Sequence, residues 1–438
     1  MSQTAPQFTE GLIASMEHDK PKVAFQVYGC TMNQADATVA MGFIQSKGLR
    51  VTSEEDANTV IVFSCAVRNE TEEKVISNVK RLQKKGKKVI ITSCLANSRP
   101  AKLLAETPSS VLLIGGDNSE LMDAISSSAG TVVYGKTRLE ARPTDRPIYP
   151  IKISQGCTSN CSFCITKLAR PSLWCRPSDE IVSSIQKSVL NGAIEIDLSS
   201  MDNADYFEPP KTRLPELVKK IVNNVRGDYA IRIGMMNPKG ALLLIEGLVD
   251  VLHSNKVYKF LHIPIQSGDA RVVKDMNRDY DPQRVAFALE KLKRDFPSLR
   301  IATDIMVGYP TEDDEAFEST LKLIESGVFD KIHMFRFTPR PHTKASFVKQ
   351  LDEPIKKHRS EVVSRLITEV QRKKNQEYLG TIQEALVTDA VGNERLEARL
   401  NNYLKIYLPY KASLLRSRLQ IEIHQFTPEH LIGKILKV

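Results

Sequence analysis

Apolar positions along this chain follow three successive patterns. Between residues 20 and 135, short β-like runs alternate with helical ones. The runs are KVAFQVYG, NTVIVFSC and KKVIITSC; the helical patterns cover about 34–47, 69–84 and 99–106. Alternating βα units predict a parallel sheet with helices packed on it. Residues 136–149, KTRLEARPTDRPIY, are charged and contain proline, and read as a linker. A second alternating series fills 150–350. Its candidate strands are PIKIS, AIEIDLSS, YAIRIGMM, KFLHIPI, RIATDIMVG and KIHMFRF. Six units predict an open partial (βα)6 barrel, short of the eight that close a full one. Residues 351–375 form a charged helical connector. From 376 to 438 the period becomes two, in IQEALVTDAVG, RLEARLNN, YLKIYLP and LQIEIHQF. Alternation with short turns predicts a small antiparallel β-barrel. The expected class is α/β with a terminal β module.

Composition narrows the setting. The chain has 438 residues, too many for one core, so several domains are expected. Hydrophobic residues make up 42% and charged residues 26%, as in soluble globular proteins. No apolar stretch nears the roughly 20 residues that cross a bilayer. The start, MSQTAPQFTEGLIASMEHDK, lacks the basic and apolar segments of a secretion signal. A cytoplasmic protein without a membrane partner is expected. The net charge of +9 leans weakly toward an acidic partner such as nucleic acid. The basic run KRLQKKGKK at 80–88 can track phosphates, but reads better as a solvated connection between helix and strand.

Seven cysteines change the picture more. In a long chain of this type, metal or redox chemistry explains them better than disulfides. Cys157, Cys161 and Cys164 stand as C-x3-C-x2-C on the loop after the first strand of the partial barrel. Three thiolates can hold three irons of a [4Fe–4S] cubane and leave the fourth iron for a small molecule. The loop lies at a strand's C-terminal end, where βα folds place their chemistry. A structural zinc site needs four ligands, and the local fourth candidate, Cys175, is eleven residues on. Cys30, Cys65 and Cys94 each close a β-like run. In a parallel sheet those ends share one edge, so the three converge into a second open three-cysteine set. Buried core cysteines are the alternative.

These residues carry a resemblance. C-x3-C-x2-C with Phe163 before its last cysteine resembles the radical S-adenosylmethionine superfamily. YGCTMNQAD, FSCAVRNETEEK and TSCLAN are similar to the N-terminal domain of methylthiotransferases. GAIEIDLSS, FLHIPIQSG, DMNRDY, ATDIMVGYP and RFTPRPHT fit the same family, and the terminal barrel resembles its RNA-binding TRAM domain. ITKLAR, RIGMMNP and RPHTKA look most like the archaeal and eukaryotic branch that acts on threonylcarbamoyladenosine in tRNA.

The resemblance implies two [4Fe–4S] clusters and S-adenosylmethionine. It assigns Cys157, Cys161 and Cys164 to the cluster that generates a radical. It assigns Cys30, Cys65 and Cys94 to an auxiliary cluster that holds sulfur. The implied reaction replaces C–H by C–SCH3 on adenosine 37 of tRNA. Isopentenyladenosine in tRNA, or a ribosomal-protein aspartate, is the alternative substrate. A non-catalytic RNA-binding metalloprotein is the alternative class. An electron donor and a sulfur source are implied partners. Eukaryotic members carry a C-terminal membrane anchor; this chain reaches Val438 just after the barrel, which favours the archaeal type.

Phe163, Glu195, Gln266 and Arg278 are the candidate S-adenosylmethionine contacts. Ordinary sheet-end polarity is the alternative for Glu195, and a surface ion pair for Arg278. His262 reads as structural and Cys175 as a non-ligand. Tyr403, Tyr407, Tyr410 and Phe426 either stack on bases or fill the terminal barrel. Met201-Asp202, Ala204-Asp205-Tyr206-Phe207, His342, Lys344 and GYPTEDD depart from the family pattern.

Overall fold

The computed structural model describes residues 21–115, 120–135 and 139–437. The N-terminal segment read for a secretion signal and residues 136–138 of the expected linker lie outside them. Two compact units divide between Arg142 and Pro143.

The first unit is a six-stranded parallel sheet in the order β2-β1-β3-β4-β5-β6. Its strands are β1 (Lys22–Val27), β2 (Arg50–Val51), β3 (Thr59–Ser64), β4 (Lys88–Ser93), β5 (Val111–Ile114) and β6 (Val132–Tyr134). All six residues of β3, TVIVFS, are buried. Helices on both faces of a parallel sheet require such a continuous apolar run. Helix α1 (Thr31–Ser46) follows β1, α2 (Asn69–Lys84) follows β3, and α3 (Cys94–Ser98) follows β4 directly. Glu70 and Glu72 open α2, and Arg81 and Lys84 end it, in keeping with the helix dipole. The basic run ending α2 is largely paired. Lys80 meets Glu106, Arg81 meets Glu54, and Lys87 caps carbonyls of Glu55 and Ala57.

In the second unit, β7 (Ile148–Lys152), β10 (Glu195–Ser199) and β13 (Ala230–Ile233) form one parallel sheet. Strands β14 (Phe260–His262), β15 (Arg300–Val307) and β16 (Lys331–Arg336) form another. A parallel bridge from Ile231 to Val257 joins them. The spatial order thus follows the chain, as in a partial βα barrel. The short antiparallel pair β8 (Ser154–Gln155) and β9 (Trp174–Cys175) brackets the C-x3-C-x2-C loop. Another pair, β11 (Phe207–Glu208) and β12 (Thr212–Arg213), follows β10.

The helix Glu353–Gln376 leads to the terminal barrel. This closes in the order β17-β18-β19-β21-β20. The strands are β17 (Ile382–Val391), β18 (Arg395–Leu400), β19 (Lys405–Pro409), β20 (Arg418–Phe426) and β21 (Leu431–Lys437). Four carry the alternation read from the sequence; β21 is an addition. The β19–β21 junction is parallel, so the barrel is not antiparallel throughout. Leu386 and Tyr403 of this barrel pack with Ile194, Ala230, Tyr258, Phe260 and Ala302. The terminal barrel therefore lies against the N-terminal ends of the partial-barrel strands. Among the described residues no helix is long and apolar enough to cross a membrane.

Candidate metal and cofactor centres

In the first unit the three cysteines follow β1, β3 and β4. Cys30 caps the N-terminus of α1, Cys65 follows β3 directly, and Cys94 opens α3. Cys65 and Cys94 are buried, while Cys30 is exposed. Burial pushes the Cys65 thiol up to about 11, against hydrogen bonding from the backbone of Val67 and Arg68; Cys94 and Cys30 lie close enough to push it further. The three strand-end cysteines thus share one neighbourhood.

Asn33, which the sequence reading passed over, ties this edge together. Its Nδ2 donates to the Tyr28 carbonyl at 2.7 Å and to the Ser64 carbonyl at 3.0 Å. Its Oδ1 accepts from Ser93 Oγ at 2.7 Å. One buried carboxamide therefore holds the ends of all three cysteine-bearing strands. The sequence signal was Cys30-x-x-Asn33 at a helix N-terminus. Gly29 supplies the space: its φ is +101°, and a Cβ there would lie 2.8 Å from Cys65 Cβ and 3.0 Å from Cys65 Sγ.

In the second unit the loop Cys157–Cys164 is held from several strand ends. Thr158 donates its N–H and hydroxyl to Asp205, at 2.8 and 2.6 Å. Asn237, past β13, donates to Ser159 Oγ at 3.1 Å. Ser162 N–H donates to the Met276 carbonyl at 3.0 Å, and its hydroxyl bonds Tyr309 at 2.8 Å. Asn277 reaches the Asn160 carbonyl at 2.7 Å. Lys167 donates to the Cys157 carbonyl.

Burial pushes the Cys157 thiol up to about 12, and Asp202 and Asp205 add to the shift. Its Sγ and one oxygen of each carboxylate lie within 4.8 Å of one another. Burial also raises Cys161, while Arg278 opposes and Cys164 adds. Asp202 and Asp205 lie in the two segments that depart from the family pattern, and neither has a role assigned from sequence. Asp205 anchors the loop through Thr158, while Asp202 accepts from the backbone of Ala204 and Asn237 beside it.

Among the described residues no disulfide joins any of the seven cysteines. Each set offers three thiols, the donor set of a cubane with one iron left open. Raised thiols stay protonated until a bound metal's charge displaces the proton. The residues present therefore fit an iron–sulfur cluster in each unit. Cys175 lies in β9 with its Sγ accepting from Phe207 N–H at 3.3 Å, in a hairpin outside the loop.

The four candidate S-adenosylmethionine contacts separate. Phe163 packs against Val272, Met276, Tyr309 and Phe337. Gln266 is buried, has φ +70°, and exchanges backbone hydrogen bonds with β15 just past β14. Arg278 acts on Cys161 and Asp202 and lies 5.5 Å from the Tyr280 ring. Phe163 belongs to the cysteine loop, Arg278 acts on it, and Gln266 lies past the C-terminal end of β14, on the strand-end side that bears the loop. Glu195 does not. It is the first residue of β10, at the strand end opposite that loop. Tyr258 donates to it at 2.8 Å, and Tyr403 of the terminal barrel approaches at 3.5 Å. Its carboxylate faces a buried network with Asp197, Arg399 and Arg232, which removes it from the cofactor contacts.

The terminal aromatics divide likewise. Tyr403 is committed to that network. Tyr407 is half-buried beside His430, with Arg395 4.4 Å and Lys405 5.6 Å from its ring. Tyr410 is exposed, and Phe426 packs against the barrel core.

Two family models match. Residues 22–115 match Uncharacterized protein family UPF0004, and residues 151–324 match the Radical SAM superfamily. The chain is 35% identical to the Archaeoglobus fulgidus probable threonylcarbamoyladenosine tRNA methylthiotransferase, covering 87% of this chain and 92% of that protein. A Pyrococcus abyssi protein of the same name is 31% identical, with 95% and 99% coverage. The Mus musculus threonylcarbamoyladenosine tRNA methylthiotransferase is 29% identical, with 94% and 74% coverage. Among solved structures, the radical S-adenosylmethionine methyltransferase TsrM from Kitasatospora setae aligns with TM-score 0.53 at 11% identity, over 74% of this chain and 77% of that one. That likeness is one of fold.

Proposed function

Because the chain belongs to the family of threonylcarbamoyladenosine tRNA methylthiotransferases, we propose that it converts N6-threonylcarbamoyladenosine at tRNA position 37 to its 2-methylthio derivative. The observation that carries this reading is the pair of open three-cysteine sets, one on the edge of each unit's parallel sheet. Bound there, two [4Fe–4S] clusters and S-adenosylmethionine supply radical formation, sulfur and the methyl group.

The chain's own residues do the rest. Thr158, Ser159 and Ser162 fix the Cys157–Cys164 loop through Asp205, Asn237 and Tyr309. Asn33 fixes the edge that bears Cys30, Cys65 and Cys94. Phe163, Gln266 and Arg278 are proposed to bind and orient S-adenosylmethionine, with the Arg278 guanidinium suited to a carboxylate. Packing around Phe163 limits water beside the loop.

Tyr407, flanked by Arg395 and Lys405, supports RNA as the partner, since a base can stack on the ring while the cations meet phosphate. The enzyme is expected to act in the cytoplasm, with an external electron donor and sulfur source. Nucleoside analysis of bulk tRNA from a deletion strain tests the reading. The methylthio-threonylcarbamoyl nucleoside should vanish and return when the gene is restored; its persistence in the deletion strain overturns the assignment.

A further inference from the structure

The inner face of the partial barrel carries a second polar cluster. His262 ends β14, Asp304 lies within β15 and His333 within β16. Asp304 pairs directly with His333, and His262 pairs with Ala302, two residues before Asp304. Partners across a parallel ladder point to one side, as do residues two apart. The three side chains therefore leave the same face. Phe260 and Ala302 identify that face as the lumen, because they pack with Ala230, Tyr258 and Tyr403. His262 Nε2 lies 3.0 Å from Asp304 Oδ1. One donor atom from each of the three residues lies within 4.8 Å of the other two.

We propose that His262, Asp304 and His333 bind a divalent first-row transition ion. Two imidazoles and a carboxylate on one side of an ion leave its other positions open, here toward the lumen. Neutral imidazoles and a carboxylate are ordinary ligands for such an ion. Two cations, Lys331 and Arg232, also act on His333. Arg232 is offset by Asp197 and Glu195, so Lys331 is the main charge opposing the ion. The open positions suit an oxygen donor. If the substrate is the one proposed above, its carbamoyl or carboxylate oxygen is of that class; binding of the ion itself does not rest on that reading.

Mn(II) titration of the full-length, cluster-loaded protein, followed by electron paramagnetic resonance, tests this. Wild type should take up one Mn(II) per chain. Asp304→Asn and His333→Ala should each weaken uptake by about a hundredfold or more, with the iron content of both variants unchanged. His333 is exposed, so its variant should fold. No saturable Mn(II) uptake by wild type, or equal uptake by wild type and both variants, overturns the proposal. Neither result depends on which nucleoside is modified.

Discussion

The Asn33 carboxamide donates to the Ser64 carbonyl at 3.0 Å, one residue before Cys65. The same group bonds Tyr28 and Ser93, so it ties the strand end beside Cys30 to those beside Cys65 and Cys94, far away in sequence. Replacing it by alanine leaves several buried polar groups without their partner, at about 1–3 kcal/mol each. Asn33→Ala should therefore lose about half of the reconstituted iron. Cleavage of S-adenosylmethionine should persist, because the second unit keeps its own loop. Iron and sulfide per chain, measured beside 5′-deoxyadenosine release, check this. Full iron in the variant would contradict it.

The two cysteine sets should separate the reaction into halves. Alanine at Cys157, Cys161 and Cys164 should abolish 5′-deoxyadenosine release. Alanine at Cys30, Cys65 and Cys94 should leave release intact while product disappears. Both halves are read in one anaerobic assay by chromatography of nucleosides.

Glu195 should give the protein a measurable pH dependence. Burial, with Asp197 adding, pushes its carboxyl up to about 7 from an ordinary 4.5. The folded state then binds the proton more tightly than the unfolded state. Linkage makes stability fall as pH rises from about 4.5 to about 7, and level off above. Glu195→Gln removes that proton exchange. Its melting temperature should change less than that of wild type between those values. Parallel melts across the window decide the point, and equal slopes would refute it.

Arg359, on the helix before the terminal barrel, is the main counter-charge to the fully buried Glu312. Its Nη1 donates to the carboxylate at 2.8 Å and to the Glu312 carbonyl at 2.7 Å. Arg359→Leu leaves a buried charge uncompensated, a change that typically costs about 3–5 kcal/mol. A lowered denaturation midpoint is expected, with partial recovery when Glu312→Gln is added. An unchanged midpoint in the single variant would show that water reaches Glu312.

The sequence was legible where one period dominates. Strands β1, β3 and β4 each carry an apolar run, and most of the six strands of the partial barrel are separated by clear helices. Strand β21 escaped because glycine and lysine interrupt LIGKILK. Gly433 is nonetheless required there, since a Cβ would lie 2.3 Å from Ile421 and 2.7 Å from Ile406. Glu195 misled because a carboxylate in GAIEI reads alike at either end of a strand; only register shows which end it occupies. Asn33 and Tyr403 act across long sequence separations, which local pattern does not encode. His262 reads as structural, and its partner Asp304 lies 42 residues further on, beyond the reach of local pattern.

Tyr403 also fixes a length. It packs against Tyr258 and Phe260 beneath the partial barrel and reaches Glu195, tying the terminal barrel to the chamber above. If RNA binds at Tyr407 as proposed, the nucleotide presented for reaction would be set by how far it stands from that residue.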